Sequence, residues 1–215
     1  MIDALGVGGG AEHSLAAMLP LLRDRGIESS VACLIPRVGG LQAQLSDAGF
    51  DVEVLDSGTW SGWIRSLRRK IRSEQPDIVH ATLFNSCLVT RLACVGLPVH
   101  QINSLVNTSY DPVRLNELKI APWKLRAMRT IDGLTARHLG ERFHAITDVV
   151  AREATDVLRI DESLITVIPR VATRGRSVDP RHSAARRYAP DSASWRTPRS
   201  CSTWVGRMRR RLMSI

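Results

Sequence analysis

No apolar run in this chain approaches the roughly 20 residues that a membrane-spanning helix needs, and the N-terminus lacks the charged-then-apolar order of a secretory leader. These two absences make the cytoplasm the expected location. Cysteine is scarce and unpatterned. Cys33, Cys87, Cys94 and Cys201 form no CxxC pair and have no paired histidines nearby, which speaks against a zinc site and against a disulfide framework. Three of them read as buried thiols and Cys201 as incidental. His13, His100, His138 and His144 show no metal-ligand spacing and read as packing or surface residues, so no metal site is expected. One further absence is local: after Pro169 there is neither a lysine nor a glutamate.

What the chain does have is arginine, unevenly placed. The formal net charge of +9 splits into −1 for residues 1–169, with 18 Lys+Arg against 19 Asp+Glu, and +10 for residues 170–215, with 12 Arg against Asp179 and Asp191. A uniform +9 would suggest a partner of opposite charge, such as nucleic acid or an anionic membrane. The split confines that reading to the last 46 residues.

Along residues 1–169, strand and helix signals alternate. Val31–Ile35, Val52–Leu55, Asp77–His80, Val99–Ile102, Phe143–Ile146 and Leu164–Ile168 are short runs rich in β-branched residues, bounded by Gly, Pro or Asp. Between them, residues 11–25 set Leu15, Met18, Leu19 and Leu22 on one helical face, and Trp60–Arg72 set Trp63, Ile64, Leu67 and Ile71 on another. Asn85–Val95 and Pro122–His138 read as further helices. The pattern predicts an α/β fold, a Rossmann-like parallel sheet flanked by helices and joined by right-handed crossovers. Only Met1–Leu5 precede the first glycine, where a central strand usually has about five or six residues, so the chain reads as starting inside its own first strand. Beyond Pro169 almost no aliphatic residue occurs until Val205. Such a segment buries too little apolar surface to offset its ordering entropy, and 170–215 is expected to be a disordered basic tail.

The densest local signal is Gly6-Val-Gly-Gly-Gly-Ala-Glu12, between the strand remnant and the first amphipathic helix. Glycines there let the backbone approach a ligand, and the exposed amides of a helix start favour phosphate or carboxylate. Gly6, Gly8 and Ala11 also fit the loose dinucleotide fingerprint. The second strand then ends in Arg37 rather than an acidic residue, which suits a 2′-phosphate and leaves an NADP(H)-binding domain as one alternative. A tight strand-to-helix turn with no ligand is another.

Gly9-Gly10-Ala11-Glu12, followed by a helix ending at Gly26 and a strand, resembles the opening of the N-terminal domain of glycosyltransferase family 4, whose members have a GT-B fold of two facing Rossmann-like lobes. Further segments match in order. Pro76-Asp-Ile-Val-His-Ala81 resembles the family's "PDvvHaH" strand, Gly96-Leu-Pro-Val99 its "GvPvv" entry, Phe143-His-Ala-Ile-Thr147 its "avS" strand, and Ile165-Thr-Val-Ile-Pro169 its "VIPNG" crossover. The resemblance implies retaining hexosyl transfer from a nucleotide-sugar to a glycan, lipid or small-molecule acceptor, with the sugar donor as substrate and neither a metal nor another cofactor required. It implies donor-diphosphate or acceptor contacts for Gly8, Gly9, Gly10, Glu12, His80 and Ser104. Specific nucleic-acid binding is not implied, whereas peripheral association with the inner face of a membrane is compatible with it.

Several features depart from the family pattern. The "NG" of the crossover is replaced by Arg170-Val171, no E-x7-E follows Pro169, and the family's histidine at the end of the fifth strand falls near Ser104. The expectation is an acceptor-side lobe, residues 1–169, without its donor lobe and inactive alone. Thr203-Trp-Val-Gly-Arg-Met208, shifted by one base, is compatible with the "N-L-G-R" that opens the second lobe, so residues 170–215 are read as a frameshifted tail. The rival reading makes them a basic arm for nucleic acid or anionic lipid.

Individual residues keep two readings. His80, at a strand end on the ligand-binding edge, is an acceptor contact or a satisfied rim histidine. Glu12 is a ligand contact or a simple complement to the helix dipole. Asn107-Thr-Ser109 matches a glycosylation sequon, which without a secretory leader carries no meaning. Asp111–Glu117 with the basic Lys119–Arg129 stretch reads as a flap near an acceptor or as a solvated charged face.

Overall fold

The computed structural model describes residues 1–6, 8–37, 40–55, 58–110 and 121–169, all within a compact unit running Met1–Ala172. The expected disordered tail and the Asp111–Glu117 segment lie outside the described residues. In chain order the elements are α1 (Gly10–Arg23), β1 (Ser30–Cys33), α2 (Leu41–Asp47), β2 (Asp51–Val54), α3 (Trp60–Glu74), β3 (Ile78–Thr82), α4 (Phe84–Ala93), β4 (His100–Leu105), α5 (Pro122–Leu139), β5 (Arg142–Ala145), α6 (Asp148–Leu158) and β6 (Ile165–Val167). All six predicted strands form, shifted by a few residues. α2 and α6 are additions to the reading.

Every strand pairing is parallel, β1 with β2, and β3 with β4, β4 with β5, β5 with β6. Ile2 bridges both Cys33 and Thr82. The N-terminal segment therefore occupies the central strand position, and the order is β2, β1, the Ile2 segment, β3, β4, β5, β6. This is the doubly wound order in which the chain reverses direction across the first strand. Ile2 N–H donates to the Ala32 carbonyl at 3.0 Å, and Thr82 N–H to the Met1 carbonyl at 2.9 Å. The Met1 ammonium itself donates to the His80 carbonyl at 2.7 Å, and burial lowers its pKa to about 6.

Strand alternation distributes the core to both faces. On β1, Val31 and Cys33 join Ile2, Leu5, Leu19 and Leu41 under α1 and α2, whereas Ala32 joins Leu67, Ile71, Val79 and Val89 under α3 and α4. α3 is placed by its three-to-four apolar spacing and by Thr59, whose hydroxyl accepts from Gly62 N–H at 3.3 Å as an N-cap. α6 starts in the same way, with the Thr147 hydroxyl accepting from Val150 N–H at 3.2 Å. A third cluster, Ala136, Phe143, Ala154, Leu158 and Ile160, seals α5 and α6 against β5. α4 is buried nearly all round, as expected of a helix enclosed by its neighbours.

Candidate functional site

In open parallel sheets, ligands bind outside the carboxyl ends of the strands where the chain reverses its winding. Here that edge is formed by Asp3–Gly6, the end of β3 and the end of β4. Register sets which side chains meet. Thr82 lies beside Ser104, and Ser104 beside His144, so His80, Thr82, Ser104 and His144 share the sheet face that Ile2 and Cys33 turn toward α1.

Three of them are linked across three strands. His80 Nε2 is 2.6 Å from Ser104 Oγ, Ser104 Oγ is 3.1 Å from His144 Nδ1, and His144 Nε2 is 3.0 Å from the Ile168 carbonyl. A carbonyl only accepts, so in neutral His144 the proton sits on Nε2 and Nδ1 is the acceptor. Ser104 has a single hydrogen to donate, which goes to His144 Nδ1. His80 Nε2–H must then donate to Ser104 Oγ. The chemistry of the partners thus sets the tautomer of each ring and gives the chain of hydrogen bonds one direction.

The glycine loop reaches the same edge on the same face. Leu5 is fully buried, Gly9 is the N-cap of α1 at φ −103° and ψ 135°, and no side chain caps the helix start. Its first-turn amides carry the partial positive charge of a helix N-terminus. Glu12 occupies the third helical position, where a capping-box glutamate would sit. Its carboxylate lies over Gly9, and a Cβ placed on Gly9 would coincide with it.

On the other side of the edge, Asp3 anchors the start of α4. Its Oδ1 accepts from Ser86 N–H at 2.6 Å and from Ser86 Oγ–H at 2.7 Å, and its Oδ2 from Asn85 at 2.8 Å. The turn between β3 and α4 places Leu83 at φ 78°, a left-handed conformation that costs a bulky residue energy. Behind it, Arg91, 1 % exposed, donates to Asp132 Oδ1 at 2.6 Å and to Asn103 Oδ1 at 3.1 Å. Tyr110 Oη–H donates to the second Asp132 oxygen at 2.8 Å. Burial, and then the Asp132 carboxylate, push the Tyr110 phenol well above its ordinary pKa. Asp3, Arg91, Ser104, Tyr110, Asp132 and Glu153 all border one cavity of about 230 Å³. Among the described residues no group of His, Cys, Asp and Glu is arranged to hold a metal ion.

The glycosyl transferase 4-like domain family matches residues 9–170. The chain belongs to that family. Solved structures agree on the fold. Anabaena HepE in complex with UDP and glucose superposes with a TM-score of 0.61 at 15% identity, covering 80% of this chain and 44% of that one. The lipopolysaccharide outer core galactosyltransferase WaaB in its apo form gives 0.59 at 12% identity, covering 80% and 44%. A glycosyltransferase from Rickettsia africae gives 0.55 at 17% identity, covering 79% and 41%. The chain spans less than half the length of each of these, consistent with an N-terminal domain of a GT-B glycosyltransferase. Comparison with curated proteins returns no match. Nothing in these likenesses favours the NADP(H) alternative, and Arg37 is exposed four residues beyond the end of β1.

Of the residues singled out from sequence, Gly8, Gly9, Gly10 and Glu12 gather at the start of α1, and His80 and Ser104 are in direct contact. His144, a packing or surface residue on its sequence alone, is in the fold the far end of the Ser104 link. The available signal is a His-Ala dipeptide shared by β3 and β5, His80-Ala81 and His144-Ala145. Asp3, Arg91, Tyr110 and Asp132 carry no sequence signal, because residues so far apart in the chain meet only in the fold.

Proposed function

We propose that this chain is the acceptor-side lobe of a retaining glycosyltransferase that moves a hexose from a nucleotide-sugar to a glycan or lipid acceptor. One juxtaposition carries the reading: in a chain of this family, an uncapped glycine-rich helix start and the His80–Ser104 pair share one face and one edge of the sheet. In the proposed roles, the amides of Gly8, Gly9 and Gly10 take the donor diphosphate, and Glu12, His80 and Ser104 border the acceptor. As the diphosphate leaves, oriented amides already in place stabilise its charge without reorganising. The acceptor hydroxyl bonds to the anomeric carbon on the face the diphosphate vacates, and its proton leaves with the phosphate. The nucleotide-sugar is the donor substrate, with no cofactor assigned. We place this lobe at the cytoplasmic face of a membrane.

Amide NMR of the full chain tests this. Titration with UDP-glucose is expected to move the Gly8–Glu12 amides, with smaller shifts at His80 and Ser104, while NADPH leaves them in place. Movement with NADPH at lower concentration than with UDP-glucose, or no movement with UDP-glucose, overturns the reading.

A further inference from the structure

α5 carries a second amphipathic face that its own core does not use. Leu125, Asp132 and Ala136 face inward, and Asp132 and Ala136 are buried. On the outer side, Trp123 is 67% exposed, Ile131 49% and Leu134 45%, with Ala127 exposed between them. At 3.6 residues per turn these four fall within about 80° of one another, opposite the buried face. Single exposed apolar residues are ordinary, but four in line over three turns form a stripe.

The stripe is bordered by cations. Lys124 lies along one side, Arg126 and Arg137 along the other, with Arg129 beyond them. None of these four forms an ion pair among the described residues. Lys124 Nζ stands 5.5 Å from the centre of the Trp123 ring, so the charge at the head of the stripe is held beside its most exposed aromatic. The one acid on the helix, Asp132, points inward to Arg91 and Tyr110 and does not offset the outer charge. An apolar stripe with a tryptophan at its end and arginine and lysine on its flanks matches a lipid interface, where acyl chains take the stripe and anionic headgroups take the cations. A nucleic acid would use the cations and leave Trp123, Ile131 and Leu134 in water. No described helix is long and apolar enough to cross a membrane, so the fitting geometry is a helix lying in the surface plane.

We propose that the outer face of α5 is a membrane-docking surface, with Trp123, Ala127, Ile131 and Leu134 seated at the headgroup boundary of an anionic bilayer and Lys124, Arg126 and Arg137 on its headgroups. This deepens the membrane part of the proposed function but stands on α5 alone, and vesicle binding is scored separately from UDP-glucose binding.

The test is co-sedimentation of the full chain with vesicles of pure phosphatidylcholine and vesicles containing phosphatidylglycerol. The arginine-rich residues 170–215 are present in every arm, so α5 is read from its own variants. Trp123→Ser with Ile131→Ser is expected to lower partitioning onto phosphatidylglycerol vesicles at least tenfold. Lys124→Glu with Arg126→Glu should do the same, and both losses should come without a change in Tm, because all four positions are exposed. In the wild type, high salt weakens binding and phosphatidylcholine captures little. The same partitioning in the variants as in the wild type assigns the binding to the tail and overturns the proposal. So does a concentration-dependent dimer that Trp123→Ser abolishes, since the stripe would then belong to a second copy.

Discussion

Ser104 Oγ lies 3.1 Å from His144 Nδ1, and the carbonyl behind His144 decides which way that hydrogen bond runs. With Nε2–H committed to Ile168, His144 is an acceptor toward Ser104 and makes the serine hydroxyl an acceptor toward His80. His144 is therefore a positioning residue, reaching His80 through a hydroxyl on the strand between them.

Replacing Ser104 by alanine should separate the two rings. In wild-type protein, nitrogen NMR is expected to report the Nε2–H tautomer for neutral His144 and a proton on His80 Nε2. In Ser104→Ala the His144 signal should keep that tautomer, because Ile168 still holds it, while His80 loses its partner on Nε2. The buried position, 3% exposed, makes a stability loss of about 1 kcal/mol the expected scale for one hydrogen-bonding hydroxyl. A His80 spectrum unchanged by the substitution would show that the link does not fix its protons.

The ion pair between Arg91 and Asp132 should behave as a buried one. Removing Asp132 as alanine leaves a guanidinium in the core and a Tyr110 hydroxyl without its acceptor, and the expected loss is about 3–5 kcal/mol in urea denaturation. Arg91→Met combined with Asp132→Leu should recover much of that, because no uncompensated charge remains. Equal destabilisation by the single and the double substitution would contradict this account.

How far the sequence shows these features depends on whether they are local. Short β-branched-rich runs such as Val31–Ile35 and three-to-four spacing in Trp60–Arg72 are local signals, and β1 and α3 follow from them. α2 is only seven residues long, too short for a period to stand out. α6 is set by the Thr147 cap just after a strand, and the strand signal dominates there. The glycine loop was legible because a turn, a helix start and a close approach all require the same residue type. The Arg91, Asp132 and Tyr110 cluster was not legible. An arginine inside an apolar helix and an aspartate 41 positions later look like ordinary surface charges until tertiary packing puts them in one cavity.

Thiol chemistry provides a pH-dependent check on the core. Burial raises Cys33 and Cys94 to about 11 and Cys87 to about 12, and the thiolate is the reactive form. Since each folded-state value lies above the ordinary thiol range, ionisation of these three favours the unfolded chain, and the stability they contribute is lost only as pH climbs past that ordinary range toward 11. Peptide mapping after iodoacetamide treatment at pH 8 should find Cys33, Cys87 and Cys94 unmodified in native protein and modified in guanidinium. Rapid native labelling at Cys33 or Cys94 would mean that the clusters under α1 or α3 open locally, and at Cys87 that the cavity it borders admits the reagent.

The last prediction separates space from conformation in the glycine loop. Gly9 has φ −103°, which any residue adopts, so its lack of a side chain is not demanded by the backbone. What excludes a Cβ is the Glu12 carboxylate lying over it, whereas Gly8 and Gly10 have no atom within 4 Å of a would-be Cβ. Glu12 thus fills, as a resident anion, the space beside the α1 amides to which the proposed function assigns the diphosphate. Gly9→Ala should displace only the flexible end of Glu12 and change stability by no more than about 1 kcal/mol, the scale of a first-turn carboxylate on a helix dipole. Glu12→Gln, which removes the competing charge but keeps the shape, should tighten UDP-glucose binding severalfold in calorimetric titration. Weaker binding by Glu12→Gln would instead make the carboxylate a direct ligand of the sugar, whose hydroxyls it would accept from.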